Sequence, residues 1–167
     1  PAPESPGRLY VGLAAPGKGP KLLFLRSLTT LLAAGAKDMP LGDVADPYLT
    51  ALCYFNALRE LGGARRIVED EVRAKLADYG TRRRRENPKD QPFDNRVLRD
   101  VLELTSREST DNVAAAKDAL ARSAFTPNGV DVALATNMIS VGLDIGRLGL
   151  MVVQGQPKAA AEYIQAT

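Results

Sequence analysis

The chain has 167 residues, of which 45% are hydrophobic, enough for one domain of ordinary size with its own core. It has no His and no Trp, and aromatics make up only 5%, so histidine chemistry is excluded and packing must come from aliphatic side chains. The net charge of +2 is a small difference between 22 basic and 20 acidic residues, so any attraction to a polyanion has to arise from local clusters.

In chain order, Tyr10–Ala14 reads as a short opening strand, closed by a Pro16, Gly17, Gly19, Pro20 break. Lys21–Ala36 carries Leu22, Leu25, Leu28 and Leu32, a spacing that predicts a buried helix. Met39–Pro47 is a connection with prolines and a glycine, in which Asp43 and Asp46 are turn residues. Tyr48–Phe55 predicts a buried strand holding the single cysteine, Cys53, a small buried hydrophobe in a chain that fits a reducing compartment. From Ala57 onward, Leu61, Ala64, Val68, Val72 and Leu76 recur at helical spacing, with Glu69–Arg73 and Glu71–Lys75 as polar-face pairs. Gly62 and Gly63 imply that this helix starts after them or uses them for close backbone packing.

Residues 80–99 read as a basic loop with four consecutive arginines, Arg82–Arg85, followed by Lys89, Arg96 and Arg99: either a loop lying along phosphates without sequence preference or, the plainer reading, a solvated one. Val101–Leu104 is a strand. Ser109 or Thr110 caps a helix over Asp111–Arg122, and Pro127, Asn128 and Gly129 make a turn. Val132–Ala135 and Leu148–Val153 are strands, and Lys158–Thr167 starts a last helix after Pro157. Strands separated by helices predict an α/β fold, a parallel sheet with helices on both faces. No apolar run approaches 18 residues and no signal segment is present, so the expectation is a soluble, cytoplasmic chain without a membrane partner. The start at Pro1 and the end at Thr167 suggest a fragment of a longer protein.

Asp131–Leu150 reads DVALATNMISVGLDIGRLGL, a buried strand whose C-terminal end opens into Thr136, Asn137 and a glycine-containing loop. Open α/β sheets bind ligands at such strand ends, where hydroxyl and amide side chains suit phosphate contacts. The string resembles motif V of superfamily 2 (DEAD-like) helicases. With Glu162, Tyr163, Ile164 and Gln165 further on, the chain is similar to the C-terminal RecA-like lobe of that family, cut within motif VI. Upstream, YLTALCYFNALR (Tyr48–Arg59) resembles motif IV, and Leu104–Arg107 stands where the family has its next motif. The longer match, including DPYLTALCYFNALRELGGA and AEYIQAT, is similar to large bacterial helicases of DISARM-type anti-phage defence systems.

The resemblance implies a RecA-like, P-loop NTPase fold without its own phosphate loop, over residues 1–167. Its expected nucleic-acid contacts are Asn56, Arg59, Ser106, Arg107, Thr136 and Asn137, with Thr136 contributing little to the core. Gly142, Asp144 and Gln165 face the ATP cleft. ATP and Mg2+ enter only with an N-terminal RecA-like lobe of the same parent chain, DNA or RNA is the other partner, and no catalytic residue lies in this fragment. Indeed Ala15–Pro20 (APGKGP) lacks phosphate-loop spacing, and no carboxylates or cysteines stand at metal-ligand spacing. Asn56 as a helix cap and Arg59 as a solvated residue are the plain alternatives at those positions. The alternative for the whole chain is a non-catalytic α/β interaction domain of a larger protein.

Overall fold

The computed structural model describes residues 7–87, 90–105, 109–136 and 145–155. Its centre is a four-stranded, wholly parallel sheet in the order β2-β3-β1-β4, formed by β1 (Ala51–Phe55), β2 (Asp100–Leu104), β3 (Val130–Thr136) and β4 (Leu150–Gln154). The central strands β1 and β3 are buried along their whole length, which explains their near-continuous apolar sequences ALCYF and VDVALAT. This is the parallel α/β architecture expected from the sequence, and it is compatible with a RecA-like lobe.

Side-chain alternation divides the core between two faces. On one, Ala51, Cys53, Phe55, Val132 and Leu134 pack beneath α1 (Pro20–Asp38) and a long helical run. That run comprises α2 (Leu58–Arg66), a π-helical stretch (Ile67–Val72) and α3 (Arg73–Leu76). On the other, Leu52, Ala133 and Ala135 meet Leu120 of α5 (Thr110–Ala121). Ser109 caps α5 by accepting the Asn112 N–H at 3.3 Å, one of the two caps the sequence offers there. Among the described residues no helix is long and apolar enough to cross a membrane.

The elements differ from the sequence expectation at several points, among them the strand expected over Tyr48–Phe55, which begins at Ala51 and leaves Tyr48 exposed. No opening strand forms over Tyr10–Ala14: this segment is irregular, and Leu9, Tyr10, Val11 and Leu13 are exposed. A strand needs an edge to pair with, and these side chains find no core beneath them. The connection after α1 is wound into two 3-10 turns, Met39–Val44 and Asp46–Tyr48. Helix α2 begins before Gly62 and Gly63 and runs through them, and neither makes close backbone packing: a Cβ would meet nothing at Gly62 and only the Lys21 side chain, at 3.9 Å, at Gly63. Glu69 pairs with Arg65, at 3.0 Å, because Arg73 reaches the Leu98 and Arg99 carbonyls instead; Glu71–Lys75 forms as expected.

The N-terminal edge of the sheet is closed by buried ions. Asp131, fully buried at the start of β3, accepts from Arg96 Nη2 and Arg99 Nη2, both at 2.7 Å, and from the Arg99 backbone N–H at 2.6 Å. Arg96 Nη2 also reaches the Leu49 carbonyl, and the Arg99 fork reaches those of Ala124 and Thr126. Two arginines assigned to the basic loop are thus structural: they hold the approach to β2 against the starts of β1 and β3. Asp46 is similarly more than a turn residue, accepting from Ser123 Oγ and Ala124 N while Arg147 lies 3.5 Å away.

Candidate functional site

Because every strand runs the same way, the four C-terminal ends share one edge. Phe55 of β1 stands in register with Thr136 on one side and Gln154 on the other. Asn56 and Gly155 follow directly. Gly155 has φ +79° and its Cα lies close to the Asn56 amide, such that an added Cβ would sit 3.1 Å from Nδ2. A side chain there would meet both a disfavoured backbone conformation and a crowded neighbour. The sequence reading missed Gln154–Gly155 as part of this edge, although a glycine directly after an apolar strand was the available signal.

Helix α2 opens from the same edge. Its N-cap is Ala57, in extended conformation and with no cap bond from its own side chain, and Asn56 stands one residue before it. Asn56 is half-buried and Arg59, in the first helical turn, is exposed. Helix α1 points its N-terminus the same way, since its C-terminal end leads down to the start of β1 and Phe24 packs edge-on against Phe55 at 5.4 Å. Exposed Lys18 and Lys21 therefore share the end of the molecule that carries Arg59. A shallow groove of about 470 Å³ separates α1 from the long helical run here, lined by Lys21, Leu22, Leu25, Gly63, Arg66, Ile67 and Glu71.

Thr136 is only 5% exposed and shares the face of Val132 and Leu134, under α1 and α2. The expectation that it contributes little to the core is corrected: its β-branched body is packed at the end of β3. Thr105, after β2, is also buried. The structure thus brings Asn56, Arg59 and Thr136 to one edge. Ser106, Arg107, Asn137, Gly142, Asp144 and Gln165 lie outside the described residues, as do Lys89 and the expected helix over 158–167. Together the edge carries the Asn56 and Gln154 amides and three cations beside the buried Thr136, a set suited to anionic oxygen atoms.

Cys53 lies in the middle of β1, fully buried, and burial pushes its thiol well above the ordinary range, so it is a packing residue rather than a nucleophile. Among the described residues there is no group of three or more His, Cys, Asp or Glu side chains able to hold a metal ion.

The fold and the strand-end cluster place this chain in the class of parallel α/β domains with a polar edge at the strand C-termini. No protein-family model matches it. The chain is 39% identical over 167 residues to DISARM protein DrmA of Bacillus paralicheniformis. The alignment spans 98% of this chain and 14% of that protein, so the chain is related to one segment of a much longer DISARM protein.

Proposed function

We propose that this chain is the second RecA-like motor lobe of an ATP-dependent nucleic-acid helicase or translocase that serves anti-phage defence. The observation that carries the proposal is the convergence of Asn56, Arg59 and Thr136, from two motif-like segments 80 positions apart, on the C-terminal edge of one parallel sheet. Open sheets of this type bind ligands at that edge, and the register Phe55–Thr136 brings the motif IV-like and motif V-like segments side by side. Similarity to a segment of a DISARM protein supports the defence setting.

In this reading Arg59, Lys18 and Lys21 attract phosphates, and the ends of β1 and β3 position a strand of DNA or RNA across the edge. ATP and Mg2+ belong between this lobe and an N-terminal lobe of the parent protein. This chain's own offerings to the nucleotide, Gly142, Asp144 and Gln165, are expected from the resemblance alone. The test is nucleic-acid-stimulated ATP hydrolysis by the full-length parent, with Arg59→Ala and Thr136→Val. Reduced stimulation in both, with the basal rate retained, is expected; unchanged stimulation in both rejects the motor-lobe assignment and favours the interaction domain.

A further inference from the structure

The four arginines Arg82–Arg85 are not used by the strand-end edge, and the fold puts them at the opposite one. The helical run Leu58–Leu76 leaves the C-terminal end of β1 and spans about 25–30 Å at the usual helical rise. At its far end the Leu76 carbonyl accepts the Arg96 N–H at 3.1 Å, and Arg96 is fixed to Leu49 and Asp131 at the starts of β1 and β3. The arginines sit on the chain between these anchors, just past the short helix α4 (Tyr79–Arg82).

Their platform is built. The Gln91 amide donates to the Gly80 and Phe93 carbonyls at 2.9 and 2.8 Å, while its Oε1 accepts the Arg85 N–H at 3.0 Å. Asn95 accepts from Thr81 N and donates to Thr81 Oγ1. Gly80 lies so close to Asp94 that an added Cβ would stand 2.8 Å from its Cα. The Arg83 guanidinium lies 4.5 Å above the Tyr79 ring, which is held in turn by Thr30 and Phe93. Arg82 is neutralised by Asp78 at 2.6 Å. Of the nearby acids, Asp90 accepts the Asn87 amide and Asp94 the Asn95 N–H; both keep their charge, so with Glu86 they share this segment with three exposed guanidinium groups.

We propose that Arg83, Arg84 and Arg85 form a phosphate-backbone anchor, a second nucleic-acid contact at the sheet edge opposite Thr136, holding a flanking stretch without reading its sequence. The proposal rests on nucleic acid being the ligand of the strand-end edge. Planar, weakly hydrated guanidinium forks match phosphate oxygens, and an ordered mount reduces the entropy lost on binding.

The test is fluorescence anisotropy of the 167-residue chain with a labelled 20-nucleotide oligo-dT across a range of salt concentrations. Replacing all three arginines by alanine is expected to lower affinity about tenfold at 50 mM salt and to reduce the log–log salt slope by about 2, from three single-strand contacts. A three-lysine variant should keep most of the slope. Arg84→Ala with Arg85→Ala, sparing the Tyr79 contact, should show about two thirds of the slope change, and unchanged melting temperatures certify folding. Unaltered affinity and slope in the triple-alanine variant overturn the anchor. So does equal, arginine-dependent binding of a labelled poly-glutamate of matched charge, which would assign the patch to an acidic protein surface. A loss of affinity with Thr136→Val but not with the arginine variants would retain the strand-end reading and remove the anchor.

Discussion

Asp131 ties the approach to β2 to the start of β3, because one fully buried carboxylate receives two guanidinium groups and a backbone N–H. Burial pushes the Arg96 guanidinium below its ordinary range, while attraction to Asp131 works the other way. Removing the anion leaves Arg96 buried without its partner, so Asp131→Ala is expected to cost about 3–5 kcal/mol in chemical denaturation. A cost under about 1 kcal/mol would show that the network adds little to stability. Thr136→Val contrasts with it: the shape is kept and a hydroxyl removed, so stability should stay within roughly 1 kcal/mol, whereas Leu134→Ala, two residues earlier and fully buried, should cost about 2–5 kcal/mol. Comparing both melting curves separates a strand-end role for Thr136 from simple packing.

At the scale of elements, the long helical run is held by its apolar face, Leu61, Ala64, Val68, Val72 and Leu76, while local propensity opposes it at Gly62 and Gly63. Since a Cβ at Gly62 meets nothing, Gly62→Ala should raise stability by about 0.4–1 kcal/mol, read as an upward shift in melting temperature. A destabilised variant would mean that Gly62 relieves strain near the π-helical stretch. Periodicity made this helix, α1 and the two central strands legible in the sequence, because each buries a repeating apolar face. Tyr10–Ala14 has the same apolar character but is irregular and largely exposed, so composition alone misread it. Arg96 and Arg99 looked like members of a solvated charge run because their partner, Asp131, lies 35 and 32 residues away, beyond any local pattern. The placement of Asn56, Arg59 and Thr136 at one strand-end edge was legible through motif-like spacing. Gln154–Gly155 had only the glycine as a signal, and its place beside Asn56 followed from the parallel register of the assembled sheet.

At the scale of the molecule, parallel topology separates two polar edges. The C-terminal one gathers short polar groups and flanking cations, while the N-terminal one combines a buried ionic clamp with the exposed arginines. A motor lobe with this division would grip its track at strand ends and leave the other edge for stability or for flanking contacts. Phosphoryl transfer also needs a phosphate cradle and charge-neutralising groups around the transferred phosphate, and the sequence has no glycine-lysine loop of the required spacing. The 167-residue chain is therefore expected to show no ATP turnover above a buffer blank, with or without DNA. Under the proposed motor-lobe function, a longer protein containing this chain should hydrolyse ATP and be stimulated by nucleic acid. Robust turnover by the purified chain, retained through successive chromatography steps and abolished by Thr136→Val, would mean a self-contained nucleotide hydrolase and would reject the half-motor reading.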